Sequence, residues 1–256
     1  MPKYVTGRLS IVTAVLLTLA IAAPAAAVEM TFYGNQFFKF VSDEGKVILI
    51  NPWVEGNKDA PMTVDSYEDG DVDLILTSSG HGDDLGNSVE IAALTGATIF
   101  TVSELGGWMQ SQIEQYDGLK SQIYRGAIGG SIMLGKVKVQ LIQADHGSGI
   151  RPTDGSSESI YGGPASGSVI TFENGLRVLM AGSTGLSMDL QLYGMRFQPN
   201  VVLVPIAGRY MMDPADAAYA TKLLMTGNPN LKTVVPQHFR VKGGFPWMGM
   251  PPEFEA

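Results

Sequence analysis

The feature that most restricts the fold of this sequence is a strand that runs straight into a short polar loop. Val72–Thr77 is a mainly apolar run typical of a buried strand, and residues 78–84 then read Ser-Ser-Gly-His-Gly-Asp-Asp. The pattern predicts a helix over Ser88–Leu94 and a further strand over Ala97–Val102. Together these form an α/β unit, a kind of fold that usually places ligands at the carboxyl ends of its strands. We therefore expect the functional site in this loop.

Capping residues mark the ends of two predicted helices. Asn87 stands where it can cap the first helix, Glu90 occupies the capping-box position and Gly96 suits the turn that ends it. A second helix is predicted over Pro214–Thr226, because Asp213 can cap it and proline is favoured in a first turn.

The remaining apolar runs predict strands that are joined by short turns. Predicted hairpins pair Met30–Phe40 with Lys46–Ile50, Ser131–Leu134 with Lys136–Gln143, and Ser168–Phe172 with Leu176–Met180. Further elements are predicted as strands over Val201–Ile206 and Thr233–Pro236, and as a glycine-interrupted helix over Ser103–Ile113. The simplest architecture is one α/β domain, residues 28–256, with two β-layers and flanking helices.

Composition fits such a protein and limits its chemistry. Apolar residues make up 45 % and charged residues 16 % of the 256 residues, which suits a chain with a sizeable core. The sequence contains no cysteine, so a metal ion has to be held by His, Asp, Glu or weaker groups. A net charge of −8 disfavours nucleic-acid binding, and we expect a small-molecule substrate or ligand instead. The oligomeric state stays open.

The first residues predict a secretory signal peptide. Lys3 and Arg8 supply its positive start, an apolar stretch runs from Leu9 to about Ala23, and small residues up to Ala27 suit a signal peptidase. We expect cleavage after Ala27, a periplasmic or secreted protein, and no stable membrane anchor after cleavage. The alternative is an uncleaved anchor, which the shortness of the apolar stretch disfavours.

The sequence contains three histidines that are candidate ligands for a metal ion. His81, His146 and His238 each lie in a turn just after a predicted strand, and Asp83 and Asp84 lie beside the first of them. If these strands end at one rim of the fold, the imidazoles converge there. Imidazole and carboxylate ligands suit Zn, Fe or Mn. A histidine at a strand end is, however, more often an ordinary hydrogen-bonding residue, and spacing alone does not separate the two interpretations.

Six segments, in order, resemble a known family. They are residues 32–36 (Phe-Tyr-Gly-Asn-Gln), 47–52 (Val-Ile-Leu-Ile-Asn-Pro), 76–87, 162–167, 181–185 and 235–239 (Val-Pro-Gln-His-Phe). The sequence resembles the metallo-β-lactamase superfamily, and within it the small metal-dependent hydrolases related to ascorbate-phosphate lactonase. The resemblance extends from about Thr31 to Pro246. It implies an αββα sandwich and a metal-dependent hydrolytic activity.

The resemblance also implies where metal ligands lie. The first metal position of the family falls on Ser79, His81 and His146, and the second falls on Asp83, Asp84, Ser183 and His238. Of these, Ser79, Asp84 and Ser183 depart from the family's ligand types, and Asn35 and Asn51 replace two further polar residues of its motifs. Because Ser183 stands where the family has a bridging carboxylate, we expect a degenerate, mononuclear site.

Two functions follow from these departures. The first is a hydrolase with one divalent metal, Zn before Mn or Fe, that acts on an ester, lactone, amide or phosphodiester. The expected metal ligands come from His81, Asp83, Asp84, His146 and His238, with Asp83 as the catalytic residue that orients or deprotonates the attacking water. The second is a non-catalytic protein that binds a metal or a small ligand on the same scaffold.

Overall fold

The computed structural model describes residues 27–152, 157–239, 248, 250 and 251. In this part of the chain the strands form two six-stranded sheets and one two-stranded hairpin. Side chains from both large sheets meet in one apolar cluster, where the ring centroids of Phe40 and Phe172 lie 5.8 Å apart. Helices cover the outer faces of the two sheets. The predicted αββα sandwich is therefore confirmed.

The first sheet holds the N-terminal strands in sequential order. Its strands are β1 (Glu29–Phe32), β2 (Phe38–Val41), β3 (Val47–Ile50), β4 (Leu74–Leu76), β5 (Thr98–Val102) and β6 (Ile123–Gly126). The strands from β1 to β3 pair antiparallel, and those from β3 to β6 pair parallel. Both faces are covered, which explains why β4 is a short, wholly buried apolar run.

The second sheet has the strand order β14-β13-β12-β11-β8-β7. Its strands are β7 (Ser131–Leu134), β8 (Val137–Gln143), β11 (Ser166–Thr171), β12 (Arg177–Met180), β13 (Val201–Pro205) and β14 (Thr233–Gln237), and the separate hairpin is β9 (Gly149–Ile150) with β10 (Ile160–Tyr161). The hairpins β7–β8 and β11–β12 confirm two of the sequence predictions. Parallel pairing of β12, β13 and β14 brings the carboxyl ends of these three strands to the same rim.

Five α-helices lie in the described part of the chain. They are α1 (Gly82–Leu85), α2 (Ser88–Thr95), α3 (Ser103–Gln112), α4 (Asp189–Phe197) and α5 (Pro214–Met225). Helix α5 begins as predicted, because the side chain of Asp213 accepts a hydrogen bond from the backbone N–H of Asp216 at 2.9 Å. Short 3-10 turns occur at Val64–Ser66, Ile113–Tyr116 and Lys120–Gln122.

Several local predictions were wrong, each for a physical reason. The predicted strand Met30–Phe40 is divided into β1 and β2 by a tight turn at Gly34, where the N–H of Phe37 donates to the Gly34 carbonyl. Asn87 does not cap α2 with its side chain, because its Oδ1 accepts hydrogen bonds from the backbone of the loop after β3. Helix α3 continues through its two glycines. Elements α1, α4 and β6 were not predicted from the sequence.

Some sequence predictions fall outside the described residues. The apolar part of the predicted signal peptide lies in residues 1–26, and most of the predicted irregular tail lies beyond residue 239. Within the described ranges, we find no helix of the length and hydropathy needed to cross a membrane.

Candidate metal centre

The site lies where β4, β8 and β14 end. His81 follows β4 and directly precedes α1, His146 follows β8, and His238 follows β14. As expected from their strand-end positions, the histidines converge. His81 contacts His146, and His238 contacts Asp83, two residues after His81.

In the histidine pair, His81 and His146, one ring nitrogen of each residue lies close to the other. His81 Nδ1 and His146 Nε2 lie 3.1 Å apart, with the rings nearly perpendicular at 87°. Burial and the nearby charge of His81 lower the pKa of His146, while a hydrogen bond between its ring and the backbone of Tyr210 opposes that shift. The neutral form of His146, which can donate a lone pair to a metal, is therefore favoured.

Asp83 is held by two side chains from distant parts of the chain. Its Oδ2 lies 3.0 Å from His238 Nε2 and 3.1 Å from Asn35 Nδ2. Burial raises the pKa of Asp83, but the hydrogen bond and charge of His238 and the bond from Asn35 outweigh that effect and hold the pKa well below its ordinary value. Asp83 is thus a carboxylate with one oxygen fixed. Its side chain is 35 % exposed, which leaves it accessible from solvent.

Asp84 faces the opposite way, into the protein, and is fully buried. Ser79 Oγ donates to Asp84 Oδ2 at 2.5 Å, and Gln36 Nε2 donates to Asp84 Oδ1. Gln36 Nε2 also donates to Ser183 Oγ at 2.8 Å, and Ser183 Oγ lies 3.2 Å from Asp84 Oδ2. Burial, followed by the charge of Asp83, raises the pKa of Asp84 to about 6. We call Gln36, Ser79, Asp84 and Ser183 the buried cluster.

Two asparagines, Asn51 and Asn35, connect the loops around the site through hydrogen bonds. Asn51 Nδ2 donates to Ser78 Oγ, and the Ser78 N–H donates to Asn51 Oδ1, both at 2.9 Å. The carbonyl of Asn35 accepts a bond from the His238 N–H at 2.6 Å, and these two residues adopt left-handed backbone angles, with φ of 53° and 50°. The left-handed region of backbone angles is strained for residues other than glycine, and residues strained in this way are often found at functional sites.

The roles of Gln36 and Asn35 were missed in the sequence. Both were recognised as parts of the resembling segment at residues 32–36, but neither was assigned a contact. Their partners lie 48 residues away at Asp83 and Asp84, a separation that no local pattern reports.

A cleft opens beside the histidine pair. It encloses about 550 Å³ and is lined by His81, Gly149, Arg151, Pro152, Ser157, Glu158 and Ser159. This size suits a small molecule.

Comparison with known proteins gives the family. The sequence profile of the beta-lactamase superfamily domain matches residues 29–238, which is most of the chain. The chain belongs to the metallo-β-lactamase superfamily. Among its superfamily relatives, a metal-dependent hydrolase from Thermodesulfovibrio yellowstonii is 36 % identical over 253 residues, covering 94 % of this chain and 90 % of that protein. Another from Rubrobacter xylanophilus is 36 % identical over 228 residues, covering 89 % and 87 %.

Solved structures of superfamily members agree with this assignment. Igni18, a metallo hydrolase from Ignicoccus hospitalis, superposes with a TM-score of 0.68 at 30 % identity and covers 88 % of this chain and 87 % of its own. An isothiocyanate hydrolase from Delia radicum gut bacteria superposes with a TM-score of 0.60 at 18 % identity over 88 % of this chain and 89 % of its own, a likeness that concerns the fold alone.

The superfamily's metal-dependent members imply a divalent metal, and the residues present fit only part of a metal centre. Two imidazole nitrogens bound to one tetrahedral zinc at about 2.1 Å lie roughly 3.4 Å apart, so the histidine pair needs little adjustment to bind one ion. The inner position does not fit, because donors already occupy the carboxylate of Asp84. Across residues 27–152 and 157–239, no three His, Asp or Glu side chains form a ready-made metal site.

Proposed function

We propose that this chain is a metal-dependent hydrolase that holds one divalent ion between His81 and His146. The observation that carries the proposal is the 3.1 Å approach of His81 Nδ1 to His146 Nε2 at the edge of a cleft. Zn is the preferred ion, with Mn or Fe as alternatives, since imidazole suits all three. Water and substrate would supply the remaining ligands, since catalytic metal sites keep a position open that structural sites do not.

Asp83 is the proposed catalytic residue. When bound, the metal lowers the pKa of a water ligand and polarises the group under attack. Asp83 would orient that water by accepting a hydrogen bond from it, because the carboxylate stays ionised and partly exposed while His238 and Asn35 fix its Oδ2. His238 has both ring nitrogens turned towards protein groups, Ser183 and Asp83, so its proposed role is to orient Asp83 rather than to bind the metal.

The substrate class proposed from the site is a small ester, lactone, amide or phosphodiester. The cleft that includes His81 supplies a binding volume of about 550 Å³ beside the histidine pair. We also propose that the protein is exported, on the strength of the N-terminal sequence. Sequencing the N-terminus of the protein from its native cells tests this, with Val28 as the expected first residue.

A non-catalytic binding protein is the second candidate. It is favoured by the buried cluster, in which the neutral hydroxyls of Ser79 and Ser183 stand at two positions where the family resemblance places metal ligands. Such a protein would bind the same ion or a small ligand in the cleft without turnover.

Metal counting together with turnover separates the two candidates. The purified protein is dialysed to equilibrium against Zn²⁺, Mn²⁺ or Fe²⁺, and bound metal is counted by mass spectrometry. We expect about one ion in the wild type, loss of that ion in His81→Ala and His146→Ala, and retention of it in His238→Ala with turnover lost. Turnover is measured with p-nitrophenyl acetate, dihydrocoumarin and bis(p-nitrophenyl) phosphate.

The outcomes of this experiment exclude one another. Metal binding without turnover of any probe favours the binding protein. Absence of metal in the wild type with all three ions contradicts the metal-dependent hydrolase. Loss of metal in His238→Ala would assign that histidine to the metal and not to Asp83.

A further inference from the structure

The buried cluster of Gln36, Ser79, Asp84 and Ser183 is shielded from solvent. Its members are at most 1 % exposed, and they come from three separate segments of the chain. An isolated buried carboxylate is strongly destabilising, so it has to be compensated by a metal, a cation or several donors. Here Asp84 is compensated by the hydroxyl of Ser79 and the amide of Gln36, with the hydroxyl of Ser183 beside them.

The donors in the cluster leave little ligand capacity for a second metal. An amide nitrogen cannot ligate, and Ser79 Oγ and Gln36 Nε2 direct their hydrogens at the two oxygens of Asp84. The acceptor that stays unpartnered is the buried Oε1 of Gln36, a neutral amide oxygen. A divalent ion at this point would have to displace these bonds. In exchange it would gain neutral hydroxyl oxygens, which are poor ligands for Zn²⁺ compared with imidazole or carboxylate.

The cluster continues outward through Ser183 to the exposed part of the site. Ser183 Oγ lies 3.4 Å from His238 Nδ1, and His238 Nε2 lies 3.0 Å from Asp83 Oδ2. Since an ionised carboxylate only accepts hydrogen bonds, Nε2 carries the hydrogen, and Nδ1 of the neutral ring is left as an acceptor that shares the single hydroxyl hydrogen of Ser183 with Asp84 Oδ2. Asp83 thus selects the tautomer of the His238 ring, and Ser183 contacts its other nitrogen.

Ser183, His238 and Asp83 follow one another as the serine, histidine and aspartate of a catalytic triad do. In such a triad the serine is exposed to substrate and the aspartate is buried, whereas here the aspartate is the exposed residue. Ser183 is 1 % exposed, whereas the side chain of Asp83 is 35 % exposed. A nucleophile has to touch its substrate, so Ser183 acts through His238 and not on the substrate.

We propose that the buried cluster replaces the second metal ion of the family and positions the catalytic Asp83 through Ser183 and His238. This inference rests on the proposed function for its account of Asp83. Within it, Gln36, Ser79, Asp84 and Ser183 are positioning residues. The protein binds one metal at most, and its inner position is maintained by hydrogen bonds alone.

The first test counts metals in the wild type and in a variant with the family's ligand types restored. The variant is Ser79→His with Asp84→His and Ser183→Asp. Under equilibrium dialysis against Zn²⁺, we expect no more than one ion in the wild type and up to two in the variant. Two ions in the wild type would overturn the proposal. If the triple variant does not fold, the wild-type count remains decisive.

The second test measures by NMR which ring nitrogen of His238 carries the hydrogen and how the other nitrogen is hydrogen-bonded. In ¹⁵N-labelled, metal-free protein, we expect wild-type His238 to show the Nε2–H tautomer in long-range ¹H–¹⁵N spectra. Ser183→Ala should keep that tautomer, which Asp83 fixes, but shift the ¹⁵N resonance of Nδ1, which loses its hydroxyl neighbour, and Ser183→Thr, which keeps the hydroxyl, should restore the wild-type resonance. In the metal-loaded enzyme, kcat of Ser183→Ala should fall roughly 10- to 100-fold with KM little changed.

These readouts separate the failure of this proposal from the failure of the proposed function. An unchanged Nδ1 resonance of His238 in folded Ser183→Ala overturns the positioning role, whatever the metal content. Absence of metal in the wild type overturns the hydrolase, while the resonances of the His238 ring still test the cluster. A folded Ser183→Ala with full kcat also overturns the positioning role.

Discussion

Asp83 and Asp84 are consecutive residues with opposite surroundings. Asp83 reaches solvent and is fixed by His238 and Asn35, whereas Asp84 is enclosed by the hydroxyl of Ser79 and the amide of Gln36. In the short helix α1, successive side chains point about 100° apart, so the carboxylate of Asp83 reaches solvent and that of Asp84 lies in the core. A single turn of helix thus gives two identical side chains different chemistry.

The Asp83→Asn substitution is the residue-scale test of the catalytic assignment. An amide has no negative charge with which to orient the attacking water, so kcat should fall by about 100-fold or more. The metal content should stay unchanged, because His81 and His146 bind the ion. Steady-state kinetics and metal counting check both expectations, with the exposed Asp65→Asn as the matched control. Full activity in Asp83→Asn would remove this residue from the mechanism.

At the scale of elements, the loop that carries His81 and Asp83 is pinned to the loop after β3. Gly86 ends α1, and its N–H bonds back to the carbonyl of Gly82. Asn87 Oδ1 accepts from the backbone N–H groups of Val54 at 3.1 Å and Glu55 at 2.9 Å. These contacts hold α1 at the carboxyl end of β4, where its acidic residues reach the site.

The Gly86→Ala substitution tests this attachment. A Cβ at Gly86 would lie 2.5 Å from the carbonyl oxygen of Pro52, and the residue has φ of +50°. We expect a loss of about 3 kcal/mol or more in the free energy of unfolding, measured by urea denaturation. Gly45→Ala is the matched control, because Gly45 has φ of +81° but no atom within 4 Å of its Cβ position, so its cost is only about 1 kcal/mol. Equal losses in the two variants would contradict the close approach.

The sequence predicted the elements with clear patterns and missed those without one. The hairpins β7–β8 and β11–β12 have alternating or turn-marked sequences, whereas α1 is one turn long and β6 is largely exposed. In the site, the family resemblance located the ligand positions but not their pairing. Gln36, Ser79 and Ser183 contact Asp84 only in the folded structure. Hydrogen bonds of this kind leave no repeating pattern in the sequence from which they could be predicted.

At the scale of the whole molecule, the two sheets contribute different halves of the site. The first sheet supplies Asn35, His81 and Asp83 from its loops, and the second supplies His146 and His238. An ion between His81 and His146 would therefore join the two layers. Binding to the folded state alone stabilises a protein by mass action, and the gain grows with the concentration of free ligand.

Metal should therefore raise the unfolding temperature. At a Zn²⁺ concentration about 100-fold above the dissociation constant, the gain is roughly 2.7 kcal/mol, or about 5–10 °C for a domain of this size. Scanning calorimetry of chelator-treated protein, with and without Zn²⁺, measures the shift. His81→Ala should show none. An equal shift in that variant would mean that the ion binds elsewhere.

The bond from the His238 N–H to the Asn35 carbonyl has a consequence for the order of folding. It connects the turn between the first two strands with the residue after the last strand, 203 positions along the chain. Contacts that close so long a segment form late, because the entropy of closure is lost before the contact is gained. Until β14 docks, Asp83 is restrained by Asn35 alone, because His238 follows that strand. We therefore expect the complete arrangement around Asp83 to form in the last step of folding.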